Sequence, residues 1–275
     1  MSEKLIADLP EKLRVRSGAK IDLAVLDSSR RLGITDESHA NQLLPAILEQ
    51  ISALQEQLWA AQSASLLVVL QGTDTSGKDG VIRNVVGALH PAGVKVASFK
   101  APVGQELAHD YLWRIHQSTP ARGEIVVFNR SHYESLLIER VRKFAPKKRW
   151  IERFEHINSF EKQLSDEGTV VIKFMLHISK AEQAARLQAR LDDPTKLWKF
   201  NPGDLEDRKL WRQYQAAYSD VANKTTTKWA PWFVVPSDNK WVRDVAVAAT
   251  LLKTLERMNP QYPPAAFDVS AIEIR

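Results

Sequence analysis

Apolar residues fall along the chain in short runs separated by longer stretches where they recur every three or four positions. Runs at 66–70, 94–99, 124–128, 169–176 and 232–235 read as strands, several unbroken enough to be buried on both faces. Between them the spacing predicts helices. Leu44, Ile47, Leu48, Ile51, Leu54 and Leu58 form an apolar stripe over 41–63, and Leu107, Tyr111, Leu112 and Ile115 form another. Further helical patterns cover 81–89, 150–164, 180–191, a segment through Trp211 and Tyr218, and 241–258. Residues 1–40 are polar and irregular, Pro91-Ala92-Gly93 and 120–123 mark turns, and 259–264 opens a proline-rich tail. Strands alternating with helices imply an α/β fold: a mainly parallel, three-layer α/β/α sheet with right-handed crossovers. No internal repeat is present.

Segment 192–207 has a different texture. It mixes Pro194, Pro202 and Gly203 with Lys196, Lys199 and two aromatics, as a mobile insertion does. The expected organisation is one domain over 1–275. It has an N-terminal helical extension (1–63), a core (64–185 and 209–258), a lid region (186–208) and a tail (259–275).

Composition narrows the chemistry. With no cysteine, disulfides, thiolate metal sites and cysteine nucleophiles are excluded, and any metal must be held by oxygen. No apolar stretch approaches the roughly 20 residues that span a bilayer, and residues 1–20 lack a signal-peptide core, so the expectation is a cytoplasmic protein without a membrane partner. The balance of 38 Lys+Arg against 33 Asp+Glu, a formal charge of +5, favours encounter with polyanions without choosing among them. His90, His109, His116, His132, His156 and His177 show no metal-ligand spacing and read as surface or capping residues. Trp113, Trp150, Trp211 and Trp241 lie in helical patterns and are expected in the core. Trp198, in the lid, is the tryptophan placed to touch a ligand.

The chemistry concentrates where the first strand ends. Residues 66–80 read LLVVLQGTDTSGKDG, matching the first seven positions of the phosphate-binding pattern GxxxxGK[ST] between a strand and a helix. In that setting the backbone N–H groups of Gly72, Thr73, Thr75, Ser76, Gly77, Asp79 and Gly80 can line one concavity, and Lys78 adds a mobile positive charge for phosphoryl oxygens. Asp79 stands where a hydroxyl would hold magnesium. An acidic loop facing phosphate makes sense with a divalent cation between the two anions, and Asp74 and Asp79 are carboxylates of the kind Mg2+ accepts.

A second constellation, Asn129-Arg130-Ser131-His132-Tyr133-Glu134, ends the third strand, on the sheet edge that faces ligands in open α/β folds. Asn129 occupies the position of the usual magnesium-orienting aspartate. Its amide cannot neutralise a cation, which shifts that task to Asp74 and Glu134. Arg130 is a permanent, planar cation suited to bidentate phosphate contacts. Arg186 and Arg190 share one helix face four residues apart and, with Lys196, Lys199 and Arg208, could close over transferring phosphates.

Six separated strings, QGTDTSGKDG, SFKAP, VVFNRSHYE, HISK before RLQARLDDP, WKFNPGDLEDR and WAPWFVVPSDNKW, resemble the polyphosphate kinase type 2 family from about Gln71 to Trp241. The resemblance implies a phosphate-loop kinase core with a helical lid, using magnesium and inorganic polyphosphate to phosphorylate nucleotides, as a dimer or tetramer. It assigns metal and phosphate roles to Asp74 and Lys78, the motif arginine role to Arg130 and the clamp role to the lid arginines. Lys100 would help line the polymer's path. The second motif departs from Asp-Arg-Ser-Trp-Tyr-Asn at Asn129, His132 and Glu134, which resembles the class III branch acting on nucleoside mono- and diphosphates: AMP to ADP, and ADP to ATP. An ATP-dependent nucleoside monophosphate kinase is the alternative enzyme. A basic nucleic-acid-binding protein is the alternative of another class, whereas the kinase reading expects no nucleic-acid partner.

Overall fold

In a computed structural model, which describes residues 2–274, five strands form one sheet in the order β2-β3-β1-β4-β5. They are β1 (Ser65–Gln71), β2 (Val94–Ser98), β3 (Ile125–Asn129), β4 (Thr169–His177) and β5 (Trp232–Pro236), and every neighbouring pair is parallel. The helices are α1 (Ser2–Leu13), α2 (Glu37–Ala61), α3 (Lys78–Asn84), α4 (Trp113–His116), α5 (Ile138–Val141), α6 (Lys147–Asp166), α7 (Lys180–Leu191), α8 (Gly203–Lys209), α9 (Trp211–Thr225) and α10 (Lys240–Met258).

Alternation along each strand feeds two cores. Leu66, Val68 and Leu70 of β1, with Ile172 and Phe174 of β4, pack under α1, α2, α3 and α10. Leu67 and Val69, with Phe128 and Val171, face α6 and α9 on the other side. Period-two side-chain direction on a sheet covered on both faces produces these continuous apolar strands. Among the described residues no helix is long and apolar enough to cross a membrane.

Three local expectations change. The irregular N-terminal stretch contains α1, whose Leu9 and Leu13 are buried and whose Leu5 and Ile6 pack beside them. Pro10 lies inside that short helix and masks its apolar spacing. After it the chain straps β5 and α9: Val15 N donates to Trp232 O at 2.8 Å and Leu23 N to Ser219 Oγ at 3.0 Å. The stripe at 107–115 forms a 3-10 turn and the single turn of α4, because Asp110 accepts from Leu112 N at 2.8 Å and starts the helix late. The helix over 81–89 ends at Asn84 and passes into a 3-10 turn.

The aromatic and histidine expectations shift as well. Trp113, Trp150, Trp211 and Trp241 are only half-buried, and Trp232 is the fully enclosed indole. His132 and His177 are buried rather than at the surface, because each lends its ring to an internal hydrogen bond, to Glu161 and to Leu26 O. The terminal Arg275 of the expected tail and Met1 of the expected extension lie outside the described residues.

Candidate active site

Chain order reverses at β1. From β1 the chain runs out to β2, returns through β3, then crosses to β4 and β5, so the C-terminal end of β1 opens at the switch point where α/β sheets bind ligands. The loop of residues 72–77 leaves from there into α3. Thr75 has φ 64° and Gly77 φ 105°, both in the left-handed region. For the β-branched Thr75 that conformation is strained and persists only under constraint. A Cβ on Gly77 would sit 1.9 Å from Arg243 Nη1, so backbone and guanidinium approach there as only glycine allows.

The constraint comes from α7. Gln183 Nε2 donates to Asp74 O at 3.2 Å, and Arg186 Nη1 to Thr75 O at 2.8 Å. Arg186 Nη2 also reaches Ser237 O at 2.6 Å and Asp238 O at 2.9 Å, while its Nε donates to Glu182. The guanidinium is thus engaged with carbonyls behind the loop rather than presented to the cleft.

The loop itself has unused hydrogen-bonding capacity. The side-chain oxygens of Thr73, Thr75 and Ser76 and Gln71 Oε1 are buried without a hydrogen-bond partner. Buried polar atoms are rarely left so, and the three loop hydroxyls are free to donate to an oxygen-rich ligand. Lys78 Nζ is folded back onto Gly72 O at 2.7 Å and Thr73 O at 3.2 Å. Burial, aided by nearby Arg130, pushes the ammonium down to about 8, against the pull of Asp74, Glu134 and Asp79. An arriving anion reverses that penalty.

Arg130 lies opposite. Its backbone has φ 62°, and its N–H donates to Leu70 O at 3.1 Å, continuing the β3–β1 ladder past the strand end. The guanidinium meets Asp74 Oδ1 at 2.9 Å and Glu134 Oε2 at 3.7 Å. Burial opposes its charge, but Glu134 and Asp74 outweigh it and raise the guanidinium's basicity. Burial pushes the Glu134 carboxyl up, with Arg130 and Lys78 opposing. Asn129 Nδ2 donates to Asp79 Oδ1 at 3.0 Å, so the amide at the aspartate-like position orients a loop carboxylate.

Two clefts meet here. One, of about 40 Å³, is bordered by Gly72, Thr73 and Asp74 and backed by Leu137, Trp211, Tyr214 and Tyr218. The other, of about 1180 Å³, opens toward β2 and is edged by Lys100, Arg114, Arg149, Arg153 and Asn129. Arg130, Glu134 and Ile138 line both.

The remaining expected residues sit at the end of α7 and in the turn after it. Arg190 Nη1 donates to Lys199 O at 3.1 Å and lies 3.6 Å from Asp204. The Lys199 ammonium lies over the Trp198 ring, which is 78% exposed. Neither Arg190 nor Lys199 borders the two clefts.

Gln183, Asp204, Tyr214, Tyr218 and Arg243 were not anticipated. The Asp204 carboxyl is pushed up to about 6 by burial and by facing Asp74, against Arg190 and Arg130. Gln183 stands three residues before Arg186, on the same helical face as Arg186 and Arg190, a spacing that marks it. Arg243 is buried among apolar neighbours of α10 and carries no such signal.

Phosphate-loop kinases are the class this architecture and cleft define. The polyphosphate kinase 2 (PPK2) family model matches residues 35–263. The AMP/ADP-polyphosphate phosphotransferase of Meiothermus ruber is 47% identical over 254 residues, covering 92% of this chain and 95% of that protein. The ADP-polyphosphate phosphotransferase of Rhodopseudomonas palustris is 38% identical over 265 residues, covering 92% of each. The crystal structure of polyphosphate kinase 2 from Arthrobacter aurescens TC1 superposes with a TM-score of 0.91 at 44% identity, covering 96% of this chain and 94% of that one. The chain belongs to the polyphosphate kinase 2 family.

Proposed function

We propose that the protein transfers the terminal phosphoryl group of inorganic polyphosphate to AMP and to ADP, giving ADP and ATP, with magnesium. Family membership and the likeness to the Meiothermus ruber enzyme support the donor and the range of acceptors. The observation that carries the reading is the sharing of Arg130 and Glu134 by two clefts, since in-line transfer needs two phosphate chains meeting end to end.

The reaction asks for positioning and charge neutralisation more than covalent chemistry. Lys78 exchanges the carbonyls of Gly72 and Thr73 for phosphate oxygens, and the unpartnered hydroxyls of Thr73, Thr75 and Ser76 donate to the same anion. Arg130 spans the junction and holds the transferring group against both chains. The lid, tied to α7 through Arg190, shields the junction from water and so limits hydrolysis.

The donor set suits magnesium. Among the described residues no cluster of three or more His, Cys, Asp or Glu could hold a metal, and Mg2+ characteristically takes one or two carboxylates with waters and substrate phosphates. Asp74 and Glu134, both bordering the smaller cleft, would hold it. When bound, the ion supplies positive charge between phosphate oxygens and carboxylates.

Purified protein with AMP, polyphosphate and magnesium, without ATP, is expected to form ADP and then ATP, and chelation with EDTA to stop both. Product formed only when ATP is the donor would replace this reading with an ATP-dependent nucleoside monophosphate kinase.

A further inference from the structure

A lysine is enclosed in the core behind the site. Lys173 lies on β4, and its place in the strand alternation turns it toward the core that Val171 and Met175 also face. It has no exposed surface, nor does Glu161 on α6. The ammonium donates to Glu161 Oε2 at 2.5 Å, Tyr133 OH at 2.9 Å and Thr225 O at 2.7 Å, which uses all three of its protons. The Tyr133 and Trp232 rings lie 5.3 and 5.2 Å from it. Glu161 Oε1 accepts from Tyr133 OH at 2.7 Å and meets His132 Nε2 at 3.3 Å.

Charge this deep is expensive, and an apolar pair of the same volume often serves stability as well or better. Its connections point to a role. Tyr133 and His132 fall between Arg130 and Glu134 in the chain, and both turn inward to Glu161 while Arg130 and Glu134 turn outward to the cleft. Ser131 Oγ, which accepts from Gln71 Nε2 at 3.1 Å and from Tyr133 N at 3.2 Å, ties the same turn to β1.

We infer that Lys173 and Glu161 are positioning residues: through Tyr133 and His132 they hold the 131–134 turn in the one setting that aims Arg130 and Glu134 into the junction of the clefts. Burial lowers the Lys173 ammonium, with Glu161 opposing. Burial works against the Glu161 charge, but Lys173 and the His132 hydrogen bond hold its carboxyl below the usual range. Burial keeps His132 neutral, and its Nδ1 has no hydrogen-bond partner, as expected when Nε2 carries the proton given to Glu161.

The test separates positioning from stability, and it rests on the kinase reading. Tyr133→Phe removes one hydroxyl and keeps the ring. It is expected to fold, to lose about tenfold in kcat, and to hold KM for both substrates within about twofold. Lys173→Met alone leaves a buried carboxylate unpaired and lowers the melting temperature. The double variant Lys173→Met/Glu161→Gln is expected to recover the melting temperature while kcat stays at least about tenfold down. Wild-type kcat in Tyr133→Phe, or recovery of stability and kcat together in the double variant, would overturn the inference. A wild-type enzyme that works with ATP alone rejects the donor assignment, and the same comparison then runs with ATP as donor.

Discussion

Arg130, at the end of β3, donates to Asp74 of the phosphate loop across 2.9 Å, joining segments 56 residues apart. The two opposite charges hold each other in the absence of substrate, with 40% and 24% of their side chains exposed. On the proposed function, a phosphate chain entering the cleft would compete for the guanidinium, and the released carboxylate would face the cation that accompanies the phosphate.

Geometry should matter here more than charge. Arg130→Lys keeps the charge and loses the planar fork, so kcat is expected to fall about 100-fold with little change in melting temperature. Steady-state kinetics beside a thermal melt check both halves. A variant within about threefold of wild type would show that a point charge suffices.

On the proposed function, Lys78 is expected to make the reaction sensitive to alkali. Its ammonium, lowered to about 8 in the free protein, must be protonated to take a phosphate chain, so kcat/KM is expected to fall as pH rises through about 8. Bound phosphate restores the proton, so the limb in kcat lies at higher pH. Stability moves the other way: the folded pKa is below the unfolded value of about 10.5, so folding is penalised below about 8 and stability rises between the two values. Rate profiles from about pH 6.5 to about 9.5, with melts at the same points, test both signs, and Lys78→Met should abolish the alkaline rise in stability.

Gly77 of the loop and Gly80 in the first turn of α3 should respond differently to alanine. At Gly77 the new methyl meets Arg243 Nη1 at 1.9 Å on a backbone at φ 105°, and a loss of about 2–4 kcal/mol is expected. At Gly80 the nearest atom is Arg243 Nη2 at the longer 2.7 Å and the backbone is helical, so the loss should stay under about 2 kcal/mol. Denaturant unfolding of the two variants gives the order directly.

The arginines of α7 are expected to separate in the same way. Arg186→Ala removes the donor from Thr75 O, Ser237 O and Asp238 O and should cost roughly 2–4 kcal/mol together with most of the activity. Arg190→Ala loses a contact to Lys199 O and a 3.6 Å ion pair with Asp204, worth less than about 1 kcal/mol. Equal destabilisation by both would mean that Arg186 does not brace the loop.

Much of this site is visible in one dimension because its parts are local. Strand, loop and helix at 66–84 are contiguous, and the Asn129 to Glu134 string ends a strand whose apolar run is unmistakable. The five strands fall where the runs place them, since a sheet covered on both faces needs unbroken apolar segments. Less legible are side chains whose work depends on partners far along the chain. Arg186 is recognisable as a basic residue on the α7 helix at the start of the expected lid region, but its carbonyl partners at Thr75 and Ser237 lie 111 and 51 residues away. Lys173 sits inside an apolar strand, and only packing reveals that Glu161 and Tyr133 enclose it. Helix α1 is hidden by Pro10, and the expected helix at 107–115 is pre-empted by the local bond that Asp110 makes to Leu112 N.

The central claim is that donor and acceptor meet at Arg130. Calorimetric titration of Arg130→Gln with AMP and, separately, with polyphosphate tests it most directly. Both affinities are predicted to fall by at least about tenfold, because the guanidinium borders both clefts. Loss of affinity for one ligand with the other unchanged would contradict the shared junction.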